Sequence, residues 1–361
     1  MTLTNKQKAT LLISSSYGIG TAKGNRLLRL EGVESIAENL AAFRTKILTV
    51  IGERDYKELC VSAANIDYEK TERELEKKGV RFVSILDEEY PKALLAYEDA
   101  PLGLYCIGDV SLLNKTSFAV VGTRFPTRYG ARVTEEFAAK LSERFCIVSG
   151  MARGVDSIAH KAALDAGGRT IAVFGCGVDV VYPPENRQLY EEIKEYGLIV
   201  SEFPPGTQAT AHNFPSRNRI ISGLSRAVLI TEAGEKSGTM ITLQHSLEQG
   251  KDVFCVPGSI YSKTSAGCNR AIKECQTRMA LDVNDIYDEL GLTKVDTKKP
   301  SSIQLDVNED NILQALTKNG EMHFEEILEV ADLSVSQLNA LLIKMTAMGL
   351  ITKTKHNYWS I

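Results

Sequence analysis

Between residues 117 and 258 the chain repeats one alternation six times, a short run of β-branched and small apolar residues followed by more polar sequence. The runs are "SFAVVG" (117–122), "FCIVSG" (145–150), "TIAVFG" (170–175), "GLIVSE" (197–202), "AVLITE" (227–232) and "DVFCVPG" (252–258). Stretches with helical spacing fall between them, notably 129–142, 154–166, 185–196 and 237–249. Strands that are apolar along their whole length are buried on both faces, and strands joined through helices run parallel. The pattern predicts a Rossmann-like, doubly wound, mostly parallel α/β sheet over residues 80–290. Ligands of such sheets bind at the carboxyl ends of the strands.

Those ends have a shared composition: Gly122-Thr123-Arg124, Ser149-Gly150-Met151-Ala152-Arg153-Gly154, Gly175-Cys176-Gly177, Ser201-Glu202, Glu232-Ala233-Gly234 and Pro257-Gly258. Small residues admit a ligand close to the backbone N–H groups, and arginines supply positive charge. The turn from Ser149 to Gly154 sits where a strand meets a helix, so Gly150, Gly154 and Arg153 are candidates for holding an anion. Plain turn geometry is the other reading of the same glycines. No GxGxxG is present, which counts against a dinucleotide, and no cofactor is expected.

A second anion candidate is "EKSGTMIT", where Lys236, Ser237, Gly238 and Thr239 open a helix. Ser237 either caps that helix and leaves the Gly238 and Thr239 amides facing a phosphate oxygen, or serves as a cap alone. The third is "FPSRNRIISG" (214–223), read as a loop and helix start before the fifth run. Arg217 and Arg219 are two residues apart and cannot point the same way. One is expected at the ligand and the other braced by an acidic neighbour such as Glu202 or Glu232. Phe214 adds a flat face on which a base can stack.

Catalytic candidates are thin. Asp156 and His160 are four apart on one predicted helix, either a surface pair or a group orienting Arg153, and no nucleophile with a base or metal-ligand spacing is visible. Glu232, at a strand end, is the best argument for an enzyme, as a general base.

Residues 1–75 read as a small helical domain of helix-hairpin-helix or SAM-like type, with Gly18 and Gly20 in its turn. Residues 291–308 read as a linker. From 309 to 361, three helical stretches precede two short runs around a turn at His356-Asn357, the order of a winged-helix domain. Its predicted recognition helix, Ser334–Gly349, carries one base, Lys344.

The 361 residues are 43% hydrophobic and 24% charged, the balance of a soluble globular protein with two or three domains. The formal net charge is -4, but it is unevenly spread: residues 1–114 carry -2, residues 115–275 carry +3 and residues 276–361 carry -5. Only the predicted sheet leans basic. The seven cysteines form no CxxC pair and are expected to be reduced, with Cys106, Cys146 and Cys255 in strands. No segment reaches the roughly 18 consecutive apolar residues of a membrane span, so a cytoplasmic protein without membrane contact is expected.

The series "VVGTR…YG", "SGMARGVDSIAH", "TIAVFGCGVDVVYPPENRQLY", "SEFPPG", "FPSRNRIISGLS", "TEAGEKSGT" and "VPGSI" resembles the DNA-processing protein A family (DprA, also called Smf). The likeness runs in order over nearly all of residues 80–290, with "YPKALLAYEDAPLGLYCIGD" as its lead-in. It implies a Rossmann-like core that binds single-stranded DNA without hydrolysing it, dimerises, and helps load the RecA recombinase in natural transformation. It also implies that Arg124, the Ser149-Gly150 turn with Arg153, and Phe214 with Arg217, Asn218 and Arg219 line the DNA pocket. Thr123 departs from the family's usual serine but keeps the hydroxyl, and "CNRAIKECQT" is looser than the family's ending. The contrasting function is a phosphoribohydrolase-like nucleotide-processing enzyme with Glu232 as acid or base, although its typical PGGxGT run is here "EAGEKSGT". A winged-helix transcription regulator is disfavoured by the acidic C-terminal segment.

Overall fold

The computed structural model describes residues 2–293, 306–331, 333–348, 350–354 and 357–360. The chain divides after Thr293 into two compact units. Most of the expected linker and His356 of the expected turn lie outside the described residues.

The first unit is built on nine strands: β1 (Arg81–Ser84), β2 (Gly103–Gly108), β3 (Ser117–Val121), β4 (Cys146–Ser149), β5 (Thr170–Val173), β6 (Leu198–Ser201), β7 (Ala227–Ile230), β8 (Asp252–Cys255) and β9 (Arg278–Met279). Their spatial order is β1-β2-β6-β5-β4-β3-β7-β8-β9. The seven from β6 across to β9 run parallel, while β2 pairs antiparallel with β6 (Ile107 opposite Ile199) and β1 antiparallel with β2. All six expected runs form strands of this mostly parallel sheet. The antiparallel margin was not anticipated.

Residues of β3 to β7 are buried throughout, because helices cover both faces. One face packs Val121, Val148, Val173 and Ile230 against Ile220, Ile221 and Leu243. The other packs Ala172, Phe174 and Ile199 against Leu189 and Ile193. All seven cysteines are free thiols. Burial pushes the Cys106 and Cys146 thiols up to about 12, so both stay protonated and inert at neutral pH.

Four helices precede the sheet: α1 (Asn5–Ser15), α2 (Thr21–Leu28), α3 (Arg44–Asn65, broken at Gly52) and α4 (Tyr68–Lys77). They bury Leu12, Leu27, Ile47 and Leu59 in a cluster of their own. They are also fastened to the sheet, where the Gln7 amide donates to the Phe82 carbonyl at 3.0 Å and that of Asn25 to Ala100 at 2.9 Å. The helices of the α/β region are α5 (Arg128–Ser142), α6 (Val155–Asp165), α7 (Arg187–Tyr196), α8 (Asn213–Leu224), α9 (Thr239–Glu248), α10 (Ala266–Lys273) and α11 (Val283–Glu289). The stretch read as a loop and helix start is thus a full helix, α8, with Pro215 in its first turn where no backbone N–H is needed.

The second unit has α12 (Val307–Asn319), β10 (Met322–His323), α13 (Phe324–Ala331), α14 (Val335–Ala347), β11 (Thr352–Lys353) and β12 (Tyr358–Ser360). Its three strands are antiparallel in the order β10-β12-β11, over a core of Ile312, Leu316, Ile327, Leu338, Leu342 and Trp359. Among the described residues of both units, no helix is long and apolar enough to cross a membrane.

Candidate functional site

The chain lays down β3 to β6 in one direction and then returns to place β7 on the other side of β3. Helices therefore diverge between the carboxyl ends of β3 and β7, and a crevice opens there. It holds a cavity of about 810 Å³, bordered by the residues after β3, by α8, by the start of α9 and by the loop before α10.

Arg217 is buried against the sheet side of this cavity, 4% exposed. Its Nη1 donates to the Gly150 carbonyl at 2.8 Å and to the Val173 carbonyl, and its Nε donates to Asn218 Oδ1 at 3.3 Å. Burial lowers its pKa to about 10, which leaves it cationic at neutral pH. Asp156, equally buried, is the nearby counter-charge: burial pushes its carboxyl up, and Arg217 pulls it back. A Cβ at Gly150 would sit 2.6 Å from the guanidinium, so Arg217 would have to shift from its place to admit one.

Phe214 stands on Gly175, where a Cβ would come within 2.9 Å of the ring. The guanidinium carbons of Arg124 and Arg217 are each 5.9 Å from its centroid, within cation–π range. The Tyr182 ring lies 5.4 Å away at 32°. Arg124 is exposed and pairs with no carboxylate among the described residues. It is therefore a free positive charge beside an aromatic face.

The loop carrying Arg124 is pinned by Glu232. Thr123 N donates to the Glu232 carbonyl at 2.7 Å, and Thr127 N to its Oε2 at 2.8 Å. The Thr127 hydroxyl adds a third bond at 3.2 Å, and the Thr264 hydroxyl donates to Oε1. Glu232 is 1% exposed, and its carboxylate is engaged in joining two loops. At the start of α9, Ser237 Oγ accepts from Thr239 N at 3.2 Å. The Thr239 amide is thus taken internally, contrary to the expectation that it stays open to a phosphate.

The cavity brings together Arg124, Phe214, Arg217, Asn218, Lys236, Ser237, Gly238 and Thr239. Ser149, Gly150, Arg153, Gly154 and Arg219 stand off its wall. Ser149 Oγ donates to the Val120 carbonyl at 2.7 Å, and exposed Arg153 pairs with Glu185. Gly154, at φ +75°, lets α6 start hard against the backbone of Thr123 and Arg124, where a Cβ would meet the Thr123 carbonyl oxygen at 2.5 Å. Arg219 is held by Glu202 at 2.7 and 3.1 Å and by Asp99 at 3.3 Å. Of the two arginines in α8, Arg219 is the braced one.

His160 points to Thr170, with Nδ1 2.6 Å from its hydroxyl. That hydroxyl already donates to the Ile147 carbonyl, so Nδ1 carries the proton. Burial lowers the imidazole pKa to about 3, and Nε2 has no partner.

The sequence model of the family described as DNA recombination-mediator protein A matches residues 81–291, the whole of the sheet region. The chain belongs to that family. This DNA recombination-mediator protein A relative is 46% identical over 191 residues to the DNA processing protein DprA of Streptococcus pneumoniae, a match spanning 53% of this chain and 68% of that protein. The X-ray structure of DNA processing protein A from S. pneumoniae superposes with a TM-score of 0.68 at 36% identity, covering 80% of this chain and 99% of that one. DNA processing protein A from Helicobacter pylori, whose structure concerns a single-stranded DNA binding mode, gives a TM-score of 0.54 at 32% identity over 59% of this chain and 97% of that one. In this DNA recombination-mediator protein A member, residues left out of the sequence reading also reach the cavity: Phe125, Lys263 and Thr264. Phe125 directly follows the "GTR" of a strand end, which is the sequence signal that marks it.

Proposed function

We propose that this protein binds single-stranded DNA in the crevice between β3 and β7 without cleaving it, protects incoming strands, and passes them to RecA in natural transformation. The single observation that carries the reading is Arg124, an exposed cation with no carboxylate partner among the described residues, set against the ring of Phe214. Phosphate attraction and base stacking together are what a single strand requires of a groove. Lys236 and Lys263 add charge at the same cavity. The names of the S. pneumoniae and H. pylori relatives fit the same reading.

A non-catalytic role accords with Glu232. The residue a hydrolytic reading needs is buried away from the cavity wall, with its oxygens held by Thr127 and Thr264. Within the proposal Arg124, Phe214, Asn218, Lys236, Ser237 and Gly238 touch DNA, and Arg217 sets the floor beneath them. Cytoplasmic location and a homodimer belong to the same proposal. The C-terminal unit is a winged helix that serves protein contact, because Lys344, the base of α14, is held by Glu309 at 2.7 Å.

The test compares wild type with Arg124→Ala and Lys236→Ala in binding single strands and duplex, together with an assay for base release from a nucleoside monophosphate. Weaker binding to single strands in both variants, with no base released, supports the reading. Unchanged binding, or released base, contradicts it. Capture of RecA by the full chain, lost on removing residues 306–361, is the expected outcome for the C-terminal unit.

A further inference from the structure

Phe125 is 74% exposed, although it is one of the largest apolar side chains in the molecule. It is also held rather than loose. Its N–H donates to Thr123 Oγ1 at 3.2 Å, and the flanking residues Thr123 and Thr127 are both hydrogen-bonded to Glu232. The loop is therefore fixed from below at two points, and it presents an unpacked ring at the rim of the cavity whose wall includes Phe214. The Phe214 platform is likewise pre-set: Gly175 supports its ring, and Tyr182, 41% exposed, extends it outward. Arg124 immediately precedes Phe125 in sequence and reaches the Phe214 ring. Two aromatic side chains and a phosphate-attracting cation on one cavity offer partners for both parts of a nucleic acid strand, in which bases alternate with backbone charge. A duplex hides its base faces in the stack, so such an arrangement favours unpaired strands.

Resting on the single-strand reading of this site, we propose that Phe125 is a second base-stacking residue, so that the cavity engages two unpaired bases, one at Phe214 and Tyr182 and the other at Phe125. The consequence is a preference for bases over bare backbone that neither arginine supplies.

The experiment measures binding of the full chain to a short thymidine oligonucleotide and to an abasic strand of the same length, for wild type, Phe125→Ala, Phe125→Trp and Arg124→Ala. Phe125→Ala should weaken binding to the thymidine strand by about fivefold or more, the low end of what one base–aromatic stack contributes, and leave the abasic strand unaffected. Phe125→Trp should retain wild-type affinity for thymidine. Because the side chain is exposed, the unfolding midpoint should not move. Equal losses on both strands, or no loss on thymidine, overturn the assignment of Phe125. Failure of the wild type to bind either strand, or indifference of both strands to Arg124→Ala, overturns the single-strand reading itself.

Discussion

At the scale of residues, arginines that look alike in sequence do different work. Arg219 and Glu202 are mostly buried together, so removing the cation strands a carboxylate in a poorly solvated place. Arg219→Ala should cost about 3 kcal/mol, read as a lower denaturant midpoint, while the folded fraction binds DNA as before. An unchanged midpoint would show the pair to be solvated and dispensable. Arg124→Ala should do the reverse, because the side chain is exposed and its neighbours do not depend on it. His160 makes a pH-dependent prediction. Its folded pKa of about 3 lies below the ordinary 6.5, so the unfolded chain takes up a proton first as pH falls. Its stabilising contribution is present above 6.5 and is lost progressively from 6.5 down to about 3. Asp156, raised by burial, acts with the opposite sign at low pH, so a comparison is needed to isolate the histidine. His160→Asn should flatten the fall of the melting temperature on acidification, and parallel curves for the two proteins would contradict this assignment.

At the scale of elements, α6 depends on how it begins. Gly154 combines a positive φ with a backbone contact that leaves no room for a Cβ. Gly154→Ala should lower stability by about 3 kcal/mol and displace the Arg124 loop, which a denaturant melt and a strand-binding titration would both register. A fully stable, fully binding variant would mean that the loop adapts freely. The elements also differ in how plainly the sequence announces them. The six central strands were legible because burial on both faces demands uninterrupted apolar runs, and α5, α6, α7 and α9 because one polar face alternates with one apolar face. Helix α8 was not, since its buried side includes Asn213, Arg217, Arg219 and Ser222, which blur the apolar period. Neither was the antiparallel pairing of β1 and β2, whose direction is set by contact with β6 and not by local sequence. At the candidate site, Arg124 could be read from a strand end, and Phe214 and Lys236 from the helix-opening stretches around the fifth run. The brace of one α8 arginine by an acidic neighbour such as Glu202 was expected, but which arginine takes it, and that Phe125 stays unpacked, depend on long-range packing and had no local signal.

At the scale of the whole molecule, the site is completed within the first unit. Its walls come from residues 121–266, and that unit has its own cores. A chain ending at Thr293 should therefore bind single strands with the affinity of the full chain, and a large loss would mean that the C-terminal unit contributes directly to DNA contact. The acidic balance of the C-terminal region, together with the Lys344–Glu309 pair, points the same way. The central claim is that free cations at the crevice meet DNA phosphates, and the salt dependence of binding tests it most directly. For wild type and Arg124→Ala, the slope of log affinity against log salt should differ by about 0.7, the contribution of one phosphate contact on a single strand, with the variant shallower and weaker at low salt. Superimposable lines for the two proteins would contradict the account.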